Sequence, residues 1–314
     1  MMFSNSILHP SWKGFRFFIL SAIFVGLALT FPLTASAIKV VSEKTITGFK
    51  FPESVAYDAR NKVLYVSEFV SALKPSEKDG MGRISKVSLD GKILEQNFLP
   101  VAGEKLDKPK GIWVRGNRLW VTDIDVVWIF DTKTKKGRKV ALPGIAPGSY
   151  ANDPTVIGKS LFVSDNNGDQ VFIIQPADFL NMKGEPKVRV YSSGKGVNPN
   201  GLVQGRNGSL LIVGFNGKDK GAGAIYSIKR GKLKKLSKGI GMLDGVYRMK
   251  TGVLLVTDWK SGSLFAWSKR RGVQTLAKGF KGPADFAVFP KGKGLMVVVP
   301  DLVTSDIRFV QLSR

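Results

Sequence analysis

The chain has 314 residues, with 48 lysines and arginines against 24 acids, no cysteine, and one histidine, His9. The absence of cysteine excludes disulfides and thiol chemistry. With His9 as the only imidazole, far upstream of every repeated segment, the remainder can build no Ser-His-Asp triad, Cys-His dyad or His-ligated zinc site.

Residues 1–37 read as a secretory signal peptide. Lys13 and Arg16 precede the apolar run FFILSAIFVGLAL at 17–29, and ASA at 35–37 offers small residues for cleavage. The run is short for a membrane span, which needs about 20 apolar residues. The mature chain then begins at Ile38, and its location is expected to be periplasmic or secreted. Removing Lys13 and Arg16 lowers the net charge from +24 to +22. A charge of this size attracts anionic envelope surfaces, while export disfavours nucleic acid as a partner.

From Ile38 onward a short apolar and β-branched run recurs: LYVSE at Leu64, LWVTD at Leu119, LFVSD at Leu161, LIVGF at Leu211, LLVTD at Leu254 and LMVVV at Leu295. Each is bounded by Gly, Asn and Asp turn signals, and most are followed by a second strand pattern such as VVWIFD or GAIYSIK. The basic cluster at 229–238 reads as a hairpin turn between strands. Repeats of 40 to 50 residues holding several strands each indicate propeller blades, which bury their faces only against neighbours around a ring. The prediction is an all-β, six-bladed β-propeller with a central channel over 38–314. The first mature strand, at 38–46, is expected to complete the last blade beside the strand at 307–312.

In such a ring the innermost strand of each blade lines the channel. The segments before the repeated runs place Glu53, Lys110, Asn152 with Asp153, Asn200, Asp244 and Asp285 near the axis, one position per blade. Singly, Asn200 with Gly201 and Asp244 with Gly245 are turn dipeptides, and Lys110 in KPKG is a solvated turn lysine. Jointly, two carboxylates and two amide carbonyls facing one point make a site for a hard divalent cation. Ca²⁺ is the expected ion, with Zn²⁺, Mn²⁺ or Mg²⁺ as alternatives.

These residues resemble the senescence-marker-protein/gluconolactonase family of six-bladed metal-dependent lactonases. PESVAYD carries Glu53 at the family's first-blade Glu, Asn152 and Asp153 match its N-D pair, PNGL at 199–202 its P-N-G-L, and Asp244 with Gly245 its D-G ahead of LLVTDW. The resemblance implies that Glu53, Asn200 and Asp244 hold the metal. Asn152 is implied as a fourth ligand or a substrate-binding group, and Asp244 as the general base. Tyr150 stands where sugar-acid lactonases carry an arginine, and with Asn152, Asp153 and Lys110 it is expected to contact substrate. The His dyad of the related paraoxonases has no counterpart after Ile38. The implied function is metal-dependent hydrolysis of a small-molecule lactone or ester. The alternative is a non-catalytic exported propeller that binds a peptide, glycan or envelope component.

Overall fold

The computed structural model describes residues 38–216 and 223–313; the signal assigned to 1–37 lies outside them. Those residues form 24 strands in six four-stranded sheets. The first strand, β1 (Val40–Ile46), precedes blade 1, which is β2 (Pro52–Asp58), β3 (Val63–Glu68), β4 (Arg83–Ser88) and β5 (Ile93–Leu99). Blade 2 is β6 (Pro109–Arg115), β7 (Arg118–Asp123), β8 (Val126–Asp131) and β9 (Gly137–Ala141). Blade 3 is β10 (Ala151–Ile157), β11 (Ser160–Asp165), β12 (Gln170–Gln175) and β13 (Lys187–Ser193). Blade 4 is β14 (Pro199–Gln204), β15 (Leu210–Gly214), β16 (Ile225–Lys229) and β17 (Lys232–Lys235). Blade 5 is β18 (Leu243–Arg248), β19 (Leu254–Asp258), β20 (Ser263–Ser268) and β21 (Gly272–Lys278). Blade 6 takes β22 (Ala287–Lys291), β23 (Gly294–Asp301) and β24 (Asp306–Leu312), with β1 as its outermost strand.

The predicted six-bladed propeller is therefore the fold. The predicted closure is also present: β1 pairs antiparallel with β24, from Val40 opposite Leu312 to Ile46 opposite Ile307. The 229–238 cluster is a hairpin, with Arg230 and Gly231 joining β16 to β17.

Burial follows from position in the blade. The second strands, such as VLYVSE and LLVTD, are buried along their whole length and are rich in apolar and β-branched residues. The outermost strands are mostly exposed and carry charge, as in KLKK of β17. The apolar core is divided into six clusters, each shared by two adjacent blades; Trp120 and Ile129 of blade 2, for example, pack on Leu161 and Phe172 of blade 3. No blade has a core of its own, and stability is a property of the ring.

Two copies of the repeat sit in a different register from the one read in the sequence. Strand pairing places Gly214 of blade 4 where blades 1, 2, 3 and 5 have Glu68, Asp123, Asp165 and Asp258. The counterpart of Leu64 in blade 4 is thus Leu210 rather than Leu211. In blade 6 the acid is Asp301, and the counterpart is Val297 rather than Leu295. Both runs are continuously apolar, so hydrophobicity alone leaves their register open.

Candidate functional site

The first strand of blades 1 to 5 breaks register at one place. The shifts fall between Pro52 and Ser54, Pro109 and Ile112, Ala151 and Pro154, Pro199 and Leu202, and Leu243 and Val246. Glu53, Lys110, Asn152, Asn200 and Asp244 sit inside these irregularities, where an extra residue re-aims a side chain. All five line one cavity of about 230 Å³. Its walls are apolar and aromatic: Phe69, Leu73, Pro75, Tyr150, Phe215, Trp259 and Leu302.

The repeated S/T-D/E pair holds these strands in place. The hydroxyl of the second strand accepts from its own blade's first strand: Ser54 N donates to Ser67 Oγ (3.0 Å), Asp153 N to Ser164 Oγ (2.9 Å) and Gly245 N to Thr257 Oγ1 (2.8 Å). In three blades it also donates to the next blade, from Ser67 to Lys110 O, Thr122 to Asn152 O and Thr257 to Ala284 O. The acids cap the segment leading into the first strand, as where Asp123 accepts from the Asp107 and Lys108 amides and Asp258 from Met242 N. The motif that revealed the repeats is thus structural, and it fixes the backbone that carries the site.

The glycines after the site residues are part of the same arrangement. Asn200 with Gly201 and Asp244 with Gly245 lie within β14 and β18, not in turns. A Cβ on Gly201 would stand 2.3 Å from Asp244 O, and one on Gly245 2.8 Å from the Asp285 Cα. Glycine here permits close approach of neighbouring inner strands.

Four of the predicted residues share a further property. Glu53 Oε2, Asn152 Oδ1, Asn200 Oδ1 and Asp244 Oδ1 are buried and have no hydrogen-bond partner among the described residues. Four other buried polar atoms share that state, and none of their residues lines the cavity. Buried orphan oxygens are costly, and four from four blades in one cavity are placed where a single partner could satisfy them. Among the described residues no three His, Cys, Asp or Glu side chains form a metal-holding group. The donor set is instead two carboxylates and two amide oxygens, which fits a hard, oxygen-seeking cation of the Ca²⁺ kind.

Electrostatics agree with that fit. Burial, then the charge of Asp244, pushes the Glu53 carboxyl well above the usual carboxylate range, against the pull of Lys110. Burial and then Asp285 push Asp244 up to about 8, although hydrogen bonds from Trp259 and Asn200 oppose this. Trp259 Nε1–H donates to Asp244 Oδ2 at 2.8 Å. Without a compensating charge, the pair favours protonation over ionisation.

Lys110 is buried, not solvated as its turn-like context implies. Its ammonium donates to Pro75 O (2.7 Å) and Lys108 O (3.1 Å), and it lies 4.6 Å from the Tyr150 ring centre and 5.3 Å from that of Phe69. Burial brings its pKa down to about 8, with Glu53 opposing. Burial, then Asp244 and Glu53, raises the Tyr150 phenol further above its ordinary value, so it stays protonated.

Two predicted residues fall elsewhere. Asp153 does not line the cavity; its carboxylate accepts from Leu202 N, because neighbours along a strand face opposite ways and Asn152 takes the channel side. Asp285 accepts from Ser54 Oγ at 2.8 Å, joining blades 6 and 1. The sequence reading placed Tyr150 at the site but missed the other walls. Phe69, Trp259 and Leu302 each directly follow the repeat's acid, and Phe215 follows the glycine that replaces it, so the position after the motif was the available signal.

No family model and no curated protein sequence matches the chain. Its fold is shared with gluconolactonase propellers. A putative gluconolactonase superposes with a TM-score of 0.63 at 15% identity, over 88% of this chain and 94% of that one. A gluconolactonase from Xanthomonas campestris gives 0.62 at 13%, over 87% and 91%. Virginiamycin B lyase from Staphylococcus aureus gives 0.58 at 13%, over 86% and 99%.

Proposed function

We propose that the cavity is the active site of a divalent-cation-dependent hydrolase acting on a small lactone or ester. The observation that carries this reading is the set of four partnerless oxygens of Glu53, Asn152, Asn200 and Asp244 in one cavity. These four side chains would hold the cation, with Ca²⁺ the first choice for an all-oxygen set. When bound, it supplies Lewis-acid polarisation of the carbonyl and acidifies nearby water. That gluconolactonases and a lyase share the fold supports a hydrolase- or lyase-like propeller.

In hydrolysis a water oxygen attacks the carbonyl carbon, the bond to the ring or ester oxygen breaks, and the water's proton ends on the leaving oxygen. Asp244 is the proton acceptor and then the donor; Trp259 fixes its carboxylate through Oδ2. Lys110 holds an anionic group of substrate or product against Tyr150. Phe69, Tyr150, Phe215 and Trp259 receive the non-reacting part, so the substrate is an apolar or aryl lactone or ester, not a polyhydroxylated sugar-acid lactone.

The test is calorimetric titration of Ca²⁺, Zn²⁺, Mn²⁺ and Mg²⁺ into the protein, with Asp244→Ala and Asn200→Ala alongside, followed by a lactone and ester screen. One-to-one binding lost in both variants, with cation-dependent turnover, is expected. A wild type that binds none of the four ions would overturn the hydrolase and favour a binding propeller.

A further inference from the structure

The positive charge is unevenly placed on the ring. Strand direction alternates within each blade, so the turns joining first to second and third to fourth strands lie on one face. The cavity is lined from the other face, by the starts of first strands and the second-to-third connections. The turns on the face away from the cavity hold fifteen lysines and arginines and three acids. Fourteen of the fifteen are exposed; Lys135, the exception, pairs with Glu95. Two of the three acids are already engaged, Asp178 by Arg118 and Glu185 by Arg138. Every blade contributes, including Lys62, Lys133, Lys159, Arg230, Lys269 and Lys293. Among the described residues, the connections on the cavity face hold nine basic and seven acidic residues. Among the described connections, the excess therefore belongs to the face away from the cavity.

We propose that this cationic face docks on an anionic phospholipid surface, leaving the cavity mouth turned away from the bilayer. Cations spread over all six blades suit an extended plane of phosphates better than a compact ligand, which would need them to converge. The chain also enters the propeller on this face: β1 begins there, with Val40 opposite Leu312 at the end of β24.

The test is co-sedimentation of the full chain with phosphatidylcholine vesicles, with and without phosphatidylglycerol. Neutral vesicles report whatever the apolar run contributes; the increment from anionic lipid is the readout. That increment should fall steeply between about 0.05 and 0.5 M salt. The quadruple variant Lys62→Glu, Lys133→Glu, Lys159→Glu, Lys293→Glu should lower it at least ~100-fold, given about 1 kcal/mol per basic residue at such a surface. The cavity-face set Lys50→Glu, Lys105→Glu, Lys195→Glu, Lys238→Glu should lower it far less, thermal unfolding confirming that both sets fold. Orientation is read separately in this cysteine-free chain. A polarity-sensitive dye at Thr251→Cys should shift on vesicles, and one at Ser76→Cys should not. Equal loss from both sets, no anionic increment, or a stronger effect from soluble polyphosphate than from vesicles would overturn the proposal.

Discussion

Asp244 is where charge, burial and geometry meet. Burial and the Asp285 charge push its carboxyl up to about 8, so at pH 7 it holds a proton that a cation must displace. Cation binding near pH 7 should therefore release protons, and affinity should rise with pH through about pH 8, where the Asp244 carboxyl is half ionised before a cation binds. Calorimetry in buffers of different ionisation heat reads the release directly; no release at pH 7 would mean that the Asp244 carboxyl is already ionised there. The Asp244→Asn variant should bind at least tenfold more weakly and release less. Lys110→Met should raise KM for an ester bearing a carboxylate and leave a neutral ester nearly unchanged, which parallel kinetics would decide. Asn200 and Asp244 were legible because each stands a similar distance ahead of a repeated run. The burial of Lys110 was not legible. What buries it, Phe69 and Pro75, arrives from another blade, and KPKG reads alike in a wet turn and a dry channel.

The next scale is the first strand of each blade and the hydroxyl that ties it. Thr257 is fully buried, accepts from Gly245 N and donates to Ala284 O. Thr257→Val keeps the shape and leaves both backbone groups unpaired, which costs about 1–3 kcal/mol. Because Gly245 adjoins Asp244, the same change should lower kcat as well as the unfolding midpoint, whereas Thr257→Ser should restore most of both. Gly201→Ala drives a methyl against Asp244 O and should cost about 1–3 kcal/mol by thermal unfolding. The sequence showed these strands and their polar residues, but presented Asn200 with Gly201 as a turn. Asn-Gly carries the same local signal wherever glycine is required, and only the neighbouring blade distinguishes close approach from chain reversal.

For the whole molecule, the six similar runs made the ring legible, and the unmatched strand at the start supplied its closure. The registers of blades 4 and 6 were not legible, because LLIV and LMVVV present apolar residues at every position. Each blade shares its core with both neighbours, so weakening the seam should lower the stability of the ring as a unit. Thr45→Pro, placed where β1 lies opposite Arg308 of β24, should lower the unfolding midpoint and shift a single cooperative urea transition rather than create a second one. The seam has another consequence. Among the described residues, β1 comes first in chain order and pairs only with β24, which comes last, so Val40 must wait for Leu312. A chain cut short anywhere after blade 1 is left with an unmatched edge at its beginning and another at its end, both open to proteases. Closure therefore acts as a check on synthesis: only a chain that runs through β24 can hide β1.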